Sequence, residues 1–393
     1  MAQLVHNFDE VYDRRGSDCK KYNPGKFPAE VLPMWIADTD FRCPAPAIEA
    51  AKKRLEHEAF GYPYELPEFN SSVKHWQKVR HGWDIEEKWV ENAWGVIPAF
   101  TYIVREFANP GDQILCHTPL YSPLRESVRD NGRELVSLSM INTDNHYTID
   151  FDAFEKALQS KKARMYILCN PHNPTGRVFT EEELRKIGDL CKKYKVLVFS
   201  DEIHGDIIYE GYKHIPFASL SPEYADFTIT GINPGKTFNV AGIRTGAVII
   251  SNPEIMKRFI IARQASKGLG RTVVGQQVFI ACYQECEYYV DQLVPYLQAN
   301  MEYAYNFIKD RLPEIKMSKP EGMYLLWMDC RSLGLSQADL MKLFAEVGKI
   351  GLNSGTEFGP EGTGYARLNI AVPRATLEEG MHRVETAIKS TRK

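Results

Sequence analysis

The chain lacks long apolar runs, an excess of charge of one sign and paired cysteines. No stretch of its 393 residues approaches the roughly 18 consecutive apolar residues that a membrane-spanning helix needs. Its 48 basic and 51 acidic residues give a net charge of −3, without the basic excess that is typical of nucleic-acid binding. We therefore expect neither a membrane segment nor a nucleic-acid partner.

Cysteine usage and the N-terminus both point to a reducing compartment. The eight cysteines are scattered without a C-x-x-C pair, and residues 1–7 show no basic stretch followed by an apolar one. Cys282 and Cys286 lie one helical turn apart, but no neighbouring His or Cys pair completes a zinc site. The sequence therefore predicts reduced thiols, no metal and a cytoplasmic location.

Between about residues 90 and 250 short apolar runs alternate with amphipathic stretches, a pattern typical of βαβ units. Thr180 and Glu183 form a capping box that opens one of the intervening helices. Runs rich in β-branched and aromatic residues favour parallel strands buried on both faces. The predicted strands are 114–116, 135–138, 165–169, 196–199, 227–230 and 247–250. The pattern predicts an α/β fold with a mostly parallel sheet and helices on both faces.

The pattern changes after about residue 290. A long tyrosine-rich helical stretch leads to an apolar run over 323–328 and then to helices that we expect to be capped by Ser336 and Thr376. This order is typical of a smaller α+β domain. We predict a large domain over residues 46–288, and a small domain that combines residues 1–45 with residues 289–393.

Three polar motifs each follow a predicted strand. They are Asn170-Pro171-His172-Asn173-Pro174-Thr175-Gly176, Asp201-Glu202-Ile203-His204 and Asn233-Pro234-Gly235-Lys236-Thr237-Phe238-Asn239. Taken singly, the first could be an ordinary turn, the second a helix-capping Asp and the third a solvated Lys. Ligands bind at the carboxyl ends of such strands, which would bring the three motifs together.

As a set, Asn173, Asp201 and Lys236 supply what pyridoxal phosphate requires. Its ring oxygen needs a hydrogen-bond donor, its ring nitrogen a carboxylate and its aldehyde an amine. Gly95 opens a helix whose first turn contains Ile97, Pro98 and Ala99, and helix N-termini bind phosphate. Arg244, eight residues after Lys236, could clamp the same phosphate.

Further motifs extend this pattern along nearly the whole chain. They are Asn7-Phe8-Asp9, residues 13–17, residues 34–41, Phe60-Gly61-Tyr62, His117-Thr118-Pro119 and Arg367-Leu368-Asn369. With them, the chain resembles fold-type I pyridoxal-phosphate enzymes of the class I/II aminotransferase superfamily. It is most similar to the branch of cystathionine β-lyase and cystalysin-like C–S lyases. The resemblance implies the PLP-dependent transferase fold, with a seven-stranded type of sheet and a smaller α+β domain.

The resemblance also implies a role for individual residues around the cofactor. Lys236 would be the catalytic residue, which binds the cofactor's aldehyde and then moves the substrate's Cα proton. Asp201 would keep the ring nitrogen protonated, Asn173 would bond the ring oxygen and Tyr121 would stack on the ring. The remaining predicted cofactor contacts are Ile97, Pro98, Ala99, His204, Arg244 and Tyr62.

Tyr62 would reach the phosphate bound by a neighbouring subunit, so the resemblance implies a homodimer with shared sites. Arg367 would pair with the substrate's α-carboxylate, a task that suits a planar guanidinium, and Ala37 would also contact the substrate. A buried Arg flanked by Leu368 and Ile370 needs an anionic partner in any case.

Two departures from the branch pattern bear on the reaction. Asn233-Pro234-Gly235 precedes Lys236 where the branch more often has a Ser, and Arg244 occupies the position of the phosphate arginine of many aminotransferases. The favoured activity is α,β-elimination of a sulfur-containing L-amino acid to thiol, pyruvate and ammonia. Transamination is the first alternative, and a regulatory or binding protein on the same fold is the second. A nicotinamide enzyme is disfavoured because no G-x-G-x-x-G follows a first strand.

Overall fold

The computed structural model describes residues 4–268 and 270–392. The strands are β1 Leu32–Pro33, β2 Val90–Ala93, β3 Gln113–Thr118, β4 Glu134–Ser139, β5 Ile141–Thr143, β6 His146–Thr148, β7 Ala163–Cys169, β8 Leu197–Asp201, β9 Thr228–Ile232, β10 Gly246–Ile249, β11 Lys316–Met317, β12 Leu325–Asp329, β13 Ile350–Gly351, β14 Asn353–Ser354 and β15 Tyr365–Asn369. The α-helices are α1 Ala45–Leu55, α2 Pro67–His81, α3 Val96–Phe107, α4 Ser122–Arg129, α5 Phe151–Leu158, α6 Glu181–Tyr194, α7 Pro222–Ala225, α8 Pro253–Ala265, α9 Gly275–Glu285, α10 Glu287–Arg311, α11 Gln337–Lys342 and α12 Arg374–Lys389. Short 3-10 turns and one π-helical turn, Leu343–Val347, occur between them.

The largest sheet has seven strands in the order β2-β10-β9-β8-β7-β3-β4. Neighbouring strands from β9 to β4 pair in parallel, whereas β10 is antiparallel to both β9 and β2. Six strands therefore run in one direction and β10 alone is reversed. The predicted α/β fold with a mostly parallel sheet is confirmed, and β2 is a strand that the sequence pattern did not identify.

Burial separates the central strands from one edge. Every residue of β9 and of β10 is buried, as expected for strands covered by helices on both faces. The edge strand β4 has no buried residue, although its apolar run predicts burial on both faces. An edge strand has a neighbouring strand on one side only, so its residues are more exposed than those of a central strand. Apolar composition alone does not reveal which of these two positions a strand occupies.

Two helices begin where the sequence predicts, at residues whose side chains accept hydrogen bonds from backbone amides of the first turn. Thr180 and Glu183 form the expected capping box of α6, and Ser336 accepts from the amide of Asp339 at the start of α11. The expected cap at Thr376 is wrong. The helix begins two residues earlier, at Arg374, because Pro373 precedes it in an extended conformation and starts the turn without a side-chain cap.

The two ends of the chain meet in a second region. A four-stranded antiparallel sheet has the order β11-β12-β15-β14, and β1 near the N-terminus pairs in parallel with β13. Helix α9 packs against α1 and α2. This pairing supports the predicted small domain built from both termini, whose boundaries remain a prediction. Among the helices of residues 4–268 and 270–392, none has the length and apolarity to cross a membrane.

Candidate functional site

The connection order of the sheet creates a crevice at one edge. The chain passes from β3 outward to β4 and then crosses to β7 on the other side of β3, so the direction of winding reverses between β3 and β7. Ligands of open α/β sheets bind at such a reversal, outside the carboxyl ends of the strands. Tyr121 follows β3, Asn173 follows β7, Asp201 ends β8 and Lys236 follows β9. All four line one cavity.

Lys236 extends into this cavity from the turn after β9. Its Nζ donates to the backbone oxygen of Ala37, which belongs to the N-terminal segment. The surrounding protein desolvates the ammonium group and lowers its pKa to about 8, against the opposing effect of the nearby Asp38 carboxylate. Near neutral pH an appreciable fraction of Lys236 is therefore a neutral amine, the form that reacts with carbonyl carbons.

Asp201 is a buried carboxyl at the end of β8. Only 4% of the residue is exposed, and one side-chain oxygen accepts from the amide of Ile203 at 3.2 Å. Burial raises its pKa to about 7, despite the opposing effects of that hydrogen bond and of Lys236. A cationic group next to Asp201 would lower this pKa again and stabilise the carboxylate.

Arg367 extends from β15 in the smaller sheet and lies beside the cavity, where it bonds Asn173 of the cavity wall without lining the cavity itself. Its guanidinium donates to the side-chain oxygens of Asn173 at 3.0 Å and Asn353 at 2.9 Å and to the backbone oxygen of Trp35 at 3.1 Å. Within the described residues these acceptors are all uncharged, and Nε has no partner. Burial lowers the pKa of Arg367 to about 10. A buried guanidinium without a carboxylate is costly, so the site favours an anionic ligand.

The N-terminus of α3 forms another wall of the cavity. Gly95 precedes this helix with φ of 131°, a conformation that side chains disfavour, and Ile97 and Pro98 line the cavity. Ala99, another residue predicted to contact the cofactor, is not among the residues that line the cavity. Ala99 is fully buried within α3, and its amide donates to the oxygen of Gly95. The amides of Val96 and Ile97 are the first two of the helix and point where an anion would bind.

The other predicted site residues fall into two groups. Ala37, Tyr121, His204 and Arg244 line the cavity, with Arg244 exposed at its edge in a left-handed conformation with φ of 55°. Tyr62 is 99% exposed on the loop between α1 and α2 and does not line this cavity. It is therefore available to another molecule, whereas its own chain offers it no role in this site.

Several contributors were not identified as site residues from the sequence. Trp94 and Ile203 line the cavity, and Asn353 holds Arg367. Asn233 accepts from the amide of Gly235 at 2.6 Å and donates to the oxygen of Thr245 at 3.0 Å, which fastens the Lys236 turn to β10. Trp94 could have been found from its position just before the helix-opening Gly95. Nothing local marks Asn353, because only the tertiary fold brings β14 to β15.

The cavity fits pyridoxal phosphate on its own chemistry. It presents an amine of lowered pKa, a buried carboxyl that a cationic ring nitrogen would stabilise, and a helix N-terminus with an exposed arginine beside it. These groups match the aldehyde, the ring nitrogen and the phosphate in turn. Asn173 lies in the same cavity, where its amide nitrogen can donate to a ring oxygen.

Comparisons with known proteins agree with this geometry. The family model described as aminotransferase class I and II matches residues 36–384. Cystathionine beta-lyase PatB of Bacillus subtilis (strain 168) is 38% identical over 387 residues, which cover 97% of this chain and 100% of that protein. Protein MalY of Escherichia coli (strain K12) is 30% identical, and the match covers 99% of this chain and 100% of that protein.

A solved structure gives the same result for the fold. The crystal structure of cystalysin from Treponema denticola, which contains a pyridoxal 5'-phosphate cofactor, superposes with a TM-score of 0.95. It is 35% identical, and the match covers 98% of this chain and 100% of that chain. The chain belongs to the class I and II aminotransferase family, as its sequence motifs predicted.

Proposed function

We propose that this chain is a pyridoxal-phosphate-dependent carbon–sulfur β-lyase of the cystathionine β-lyase type. It converts a sulfur-containing L-amino acid to a thiol, pyruvate and ammonia. The observation that carries this proposal is a cavity lined by an amine of lowered pKa and by Asn173, which accepts from a buried guanidinium bonded only to neutral oxygens within the described residues. The amine suits carbonyl chemistry, and the guanidinium suits an amino acid's carboxylate.

The residues that would hold the cofactor follow from the site. Lys236 would bind its aldehyde, Asp201 its ring nitrogen and Asn173 its ring oxygen, while Tyr121 would cover the ring. The first amides of α3 and Arg244 would bind its phosphate. When bound, the cofactor withdraws electrons from the substrate's Cα and so makes the Cα–H bond acidic.

The chain's own residues then orient the substrate and move a proton. Arg367 would pair with the α-carboxylate through two parallel hydrogen bonds, which fixes the direction of the Cα–H bond. Lys236 would take the Cα proton as a neutral amine, and as an ammonium would return it to the departing sulfur at Cβ. A pKa of about 8 suits both duties near neutral pH, because each protonation state is well populated there.

The choice of elimination rests on relatives that cover the whole chain, since PatB bears the name cystathionine beta-lyase and cystalysin is among the similar structures. Transamination is the second candidate. It is favoured by Arg244, an exposed cation at the cavity edge in the position of an aminotransferase phosphate arginine.

Separate readouts distinguish the two reactions. The purified enzyme with pyridoxal phosphate is given L-cystathionine or L-cysteine without a 2-oxo acid, and pyruvate, ammonia and the sulfur product (a thiol from L-cystathionine, hydrogen sulfide from L-cysteine) are measured. We expect all three products in equal amounts. Turnover that requires an added 2-oxo acid, with exchange of the amino group, would establish transamination instead. A protein without visible cofactor absorbance, or with the same absorbance after Lys236→Ala, would favour a binding role.

A homodimer with shared sites is part of the proposal. It is supported by Tyr62, which projects fully from the surface on an exposed loop. We expect sedimentation to give twice the 44.9 kDa chain mass. Tyr62→Phe should weaken pyridoxal-phosphate binding, whereas Tyr212→Phe, at another exposed tyrosine, should not. A monomer that binds the cofactor with full affinity would contradict the shared site. The cytoplasmic location stays a prediction.

A further inference from the structure

A buried carboxylate lies behind the Lys236 turn, outside the cavity. Asp206 follows β8, and its side chain is 9% exposed. One of its oxygens accepts from the hydroxyl of Thr237 at 2.7 Å. The other accepts from Trp76 Nε1 at 3.0 Å and lies 3.2 Å from His81 Nε2. Asp206 therefore joins α2 to the turn that carries Lys236.

The pKa of Asp206 agrees with this role as an acceptor. Burial alone would raise it, but the hydrogen bonds from His81 and Thr237 outweigh burial and hold the pKa below its usual value. The carboxylate therefore stays ionised through the neutral range and keeps accepting the hydroxyl hydrogen of Thr237. A hydrogen bond to a charged acceptor is stronger than a neutral one, so this contact restrains the turn effectively.

The two sides of the turn have different surroundings. Lys236 faces the cavity, while its neighbour Thr237 is fully buried on the opposite side and bonded to Asp206. Two neighbouring residues at the end of β8 are arranged in the same way. Asp201 lines the cavity, whereas the next residue, Glu202, does not. Glu202 accepts from Ser200, from the amide of Phe217 and from His214.

Lys236 needs such a restraint because its side chain is long and its fixed contacts are few. Its Nζ bonds a backbone oxygen of another segment, and the four-carbon stem between Cα and Nζ makes no hydrogen bond of its own. The position of its Cα therefore decides where the amine can reach. The side chain of Asn233 holds the start of the turn, and the hydrogen bond from Thr237 to Asp206 holds the position directly after Lys236.

We propose that Asp206 is a positioning residue that fixes the backbone of Lys236 through the hydroxyl of Thr237. This inference rests on the proposed function, in which Lys236 binds the cofactor and transfers the Cα proton. Loss of the tether lets the Lys236 backbone drift, and a misplacement of about 1 Å can cost about 100-fold in rate. Substrate binding by Arg367 is left intact, because that residue lies on another sheet.

The test compares four single substitutions in the pyridoxal-phosphate-loaded enzyme. Thr237→Val removes the hydroxyl at nearly constant volume, and Thr237→Ser restores it. Thr230→Val makes the same isosteric change in β9 at a fully buried hydroxyl that has no partner among the described residues. Trp76→Phe removes a different donor from Asp206 and leaves Thr237 bonded.

We expect Thr237→Val to lower kcat about 10- to 100-fold with little change in KM. Thr237→Ser should recover kcat to within about threefold of wild type, because the donor is kept. Thr230→Val and Trp76→Phe should keep kcat near wild type. A wild-type kcat in Thr237→Val, or a failure of Thr237→Ser to restore it, overturns the proposal.

A second readout does not depend on which reaction the enzyme catalyses. Cofactor-free protein is mixed with pyridoxal phosphate and quenched over time with borohydride, and mass spectrometry measures the fraction reduced onto Lys236. We expect slower linkage in Thr237→Val and normal linkage in Thr237→Ser and Thr230→Val. Normal linkage in Thr237→Val contradicts the tether, even if the wild-type enzyme proves to be an aminotransferase. If Thr237→Val does not fold, Thr237→Ala, which also removes the hydroxyl donor to Asp206, serves in both assays with the same expectation.

Discussion

Two buried charged clusters lie side by side in this protein, and they treat charge in opposite ways. In the first, which we call the N-terminal ion cluster, Arg14 and Lys21 bind Asp38 and Asp40. Arg14 contacts the two carboxylates at 2.9 and 2.7 Å, and Lys21 contacts Asp40 at 2.9 Å. Tyr22 adds a hydrogen bond to Asp40 at 3.0 Å. Each of these four charges is matched by one of opposite sign.

At the cavity, by contrast, the hydrogen bonds that Arg367 and Lys236 donate go to neutral acceptors within the described residues. Arg367 donates to amide and carbonyl oxygens, and Lys236 donates to the oxygen of Ala37. Burial shifts the pKa of Lys236 to about 8 and that of Asp201 to about 7, each toward the neutral form. Perturbed groups of this kind concentrate at functional sites, whereas matched charges hold structure together.

Asp38 connects the clusters. It pairs with Arg14, and its negative charge opposes the lowering of the Lys236 pKa. The neighbouring Ala37 supplies the oxygen that accepts from Lys236. The N-terminal ion cluster therefore holds in place the segment whose backbone oxygen accepts a hydrogen bond from Lys236. Substitutions that remove the same charge from each cluster should have opposite consequences.

The largest contrast should come from the two lysines. Lys236→Met should lower kcat by at least about 100-fold, because proton transfer alone contributes about 10²- to 10⁴-fold. It should not lower the free energy of unfolding, since burial disfavours the ammonium form there. Lys21→Met should leave kcat within about threefold but lower the free energy of unfolding by about 1.5–3 kcal/mol, because Asp40 loses one charged donor and keeps Arg14 and Tyr22. Urea titrations and pyruvate assays measure both quantities. Equal stability losses in the two variants would contradict the distinction.

The two arginines should show a smaller effect in the same sense. Arg367→Met should lower kcat/KM by about 100-fold through the lost carboxylate contact, mainly by raising KM, with unfolding free energy unchanged or higher. Arg14→Met should destabilise the protein and leave KM near wild type. The comparison fails if Arg367→Met destabilises the fold as much as Arg14→Met does.

The pH dependence of stability should sharpen the contrast at the acidic residues. In cofactor-free protein the pKa of Asp201 is about 7, above its ordinary value, so the folded state holds a proton that the unfolded state releases. Its contribution to stability is full below about pH 4 and disappears as the pH rises through 7. Three pKa units correspond to at most about 4 kcal/mol.

Asp201→Asn should flatten this part of the stability profile, because it removes the titrating group. Asp40→Asn serves as the control, since it should lower stability while leaving the decline between pH 4 and 7 in place. Unfolding free energies measured in urea at a series of pH values provide the comparison. An unchanged slope in Asp201→Asn would show that another group causes the decline.

Much of the fold could be predicted from the sequence because the central strands are buried runs of apolar residues. All six predicted strands exist, and the capping residues Thr180 and Ser336 begin α6 and α11. The pattern failed where burial is incomplete or a helix lacks a side-chain cap. It predicted that β4 is buried, whereas no residue of β4 is, and it did not identify β2. It also predicted that Thr376 caps α12, whereas this helix begins at Arg374.

The candidate site shows the same division. Asn173, Asp201 and Lys236 could be found because each directly follows a strand, and parallel strands bring their carboxyl ends to one edge. The hydrogen-bond partners of Arg367, Lys236 and Thr237 could not be found in this way. Asn353 at Arg367, Ala37 at Lys236 and Asp206 at Thr237 come from other segments, 14, 199 and 31 residues away in the chain, and only the tertiary fold brings them into contact.

The sequence by itself determined the class of fold, the family and the candidate site residues Asn173, Asp201 and Lys236, because strand composition, capping and motif spacing are local properties. The tertiary structure decided which charges are matched. Arg14 lies in a polar stretch of the sequence and Arg367 beside apolar residues, yet within the described residues Arg14 meets two carboxylates and Arg367 only neutral oxygens. The energetic effect of a buried charge depends on its neighbours and on their distance, and only the folded chain sets these.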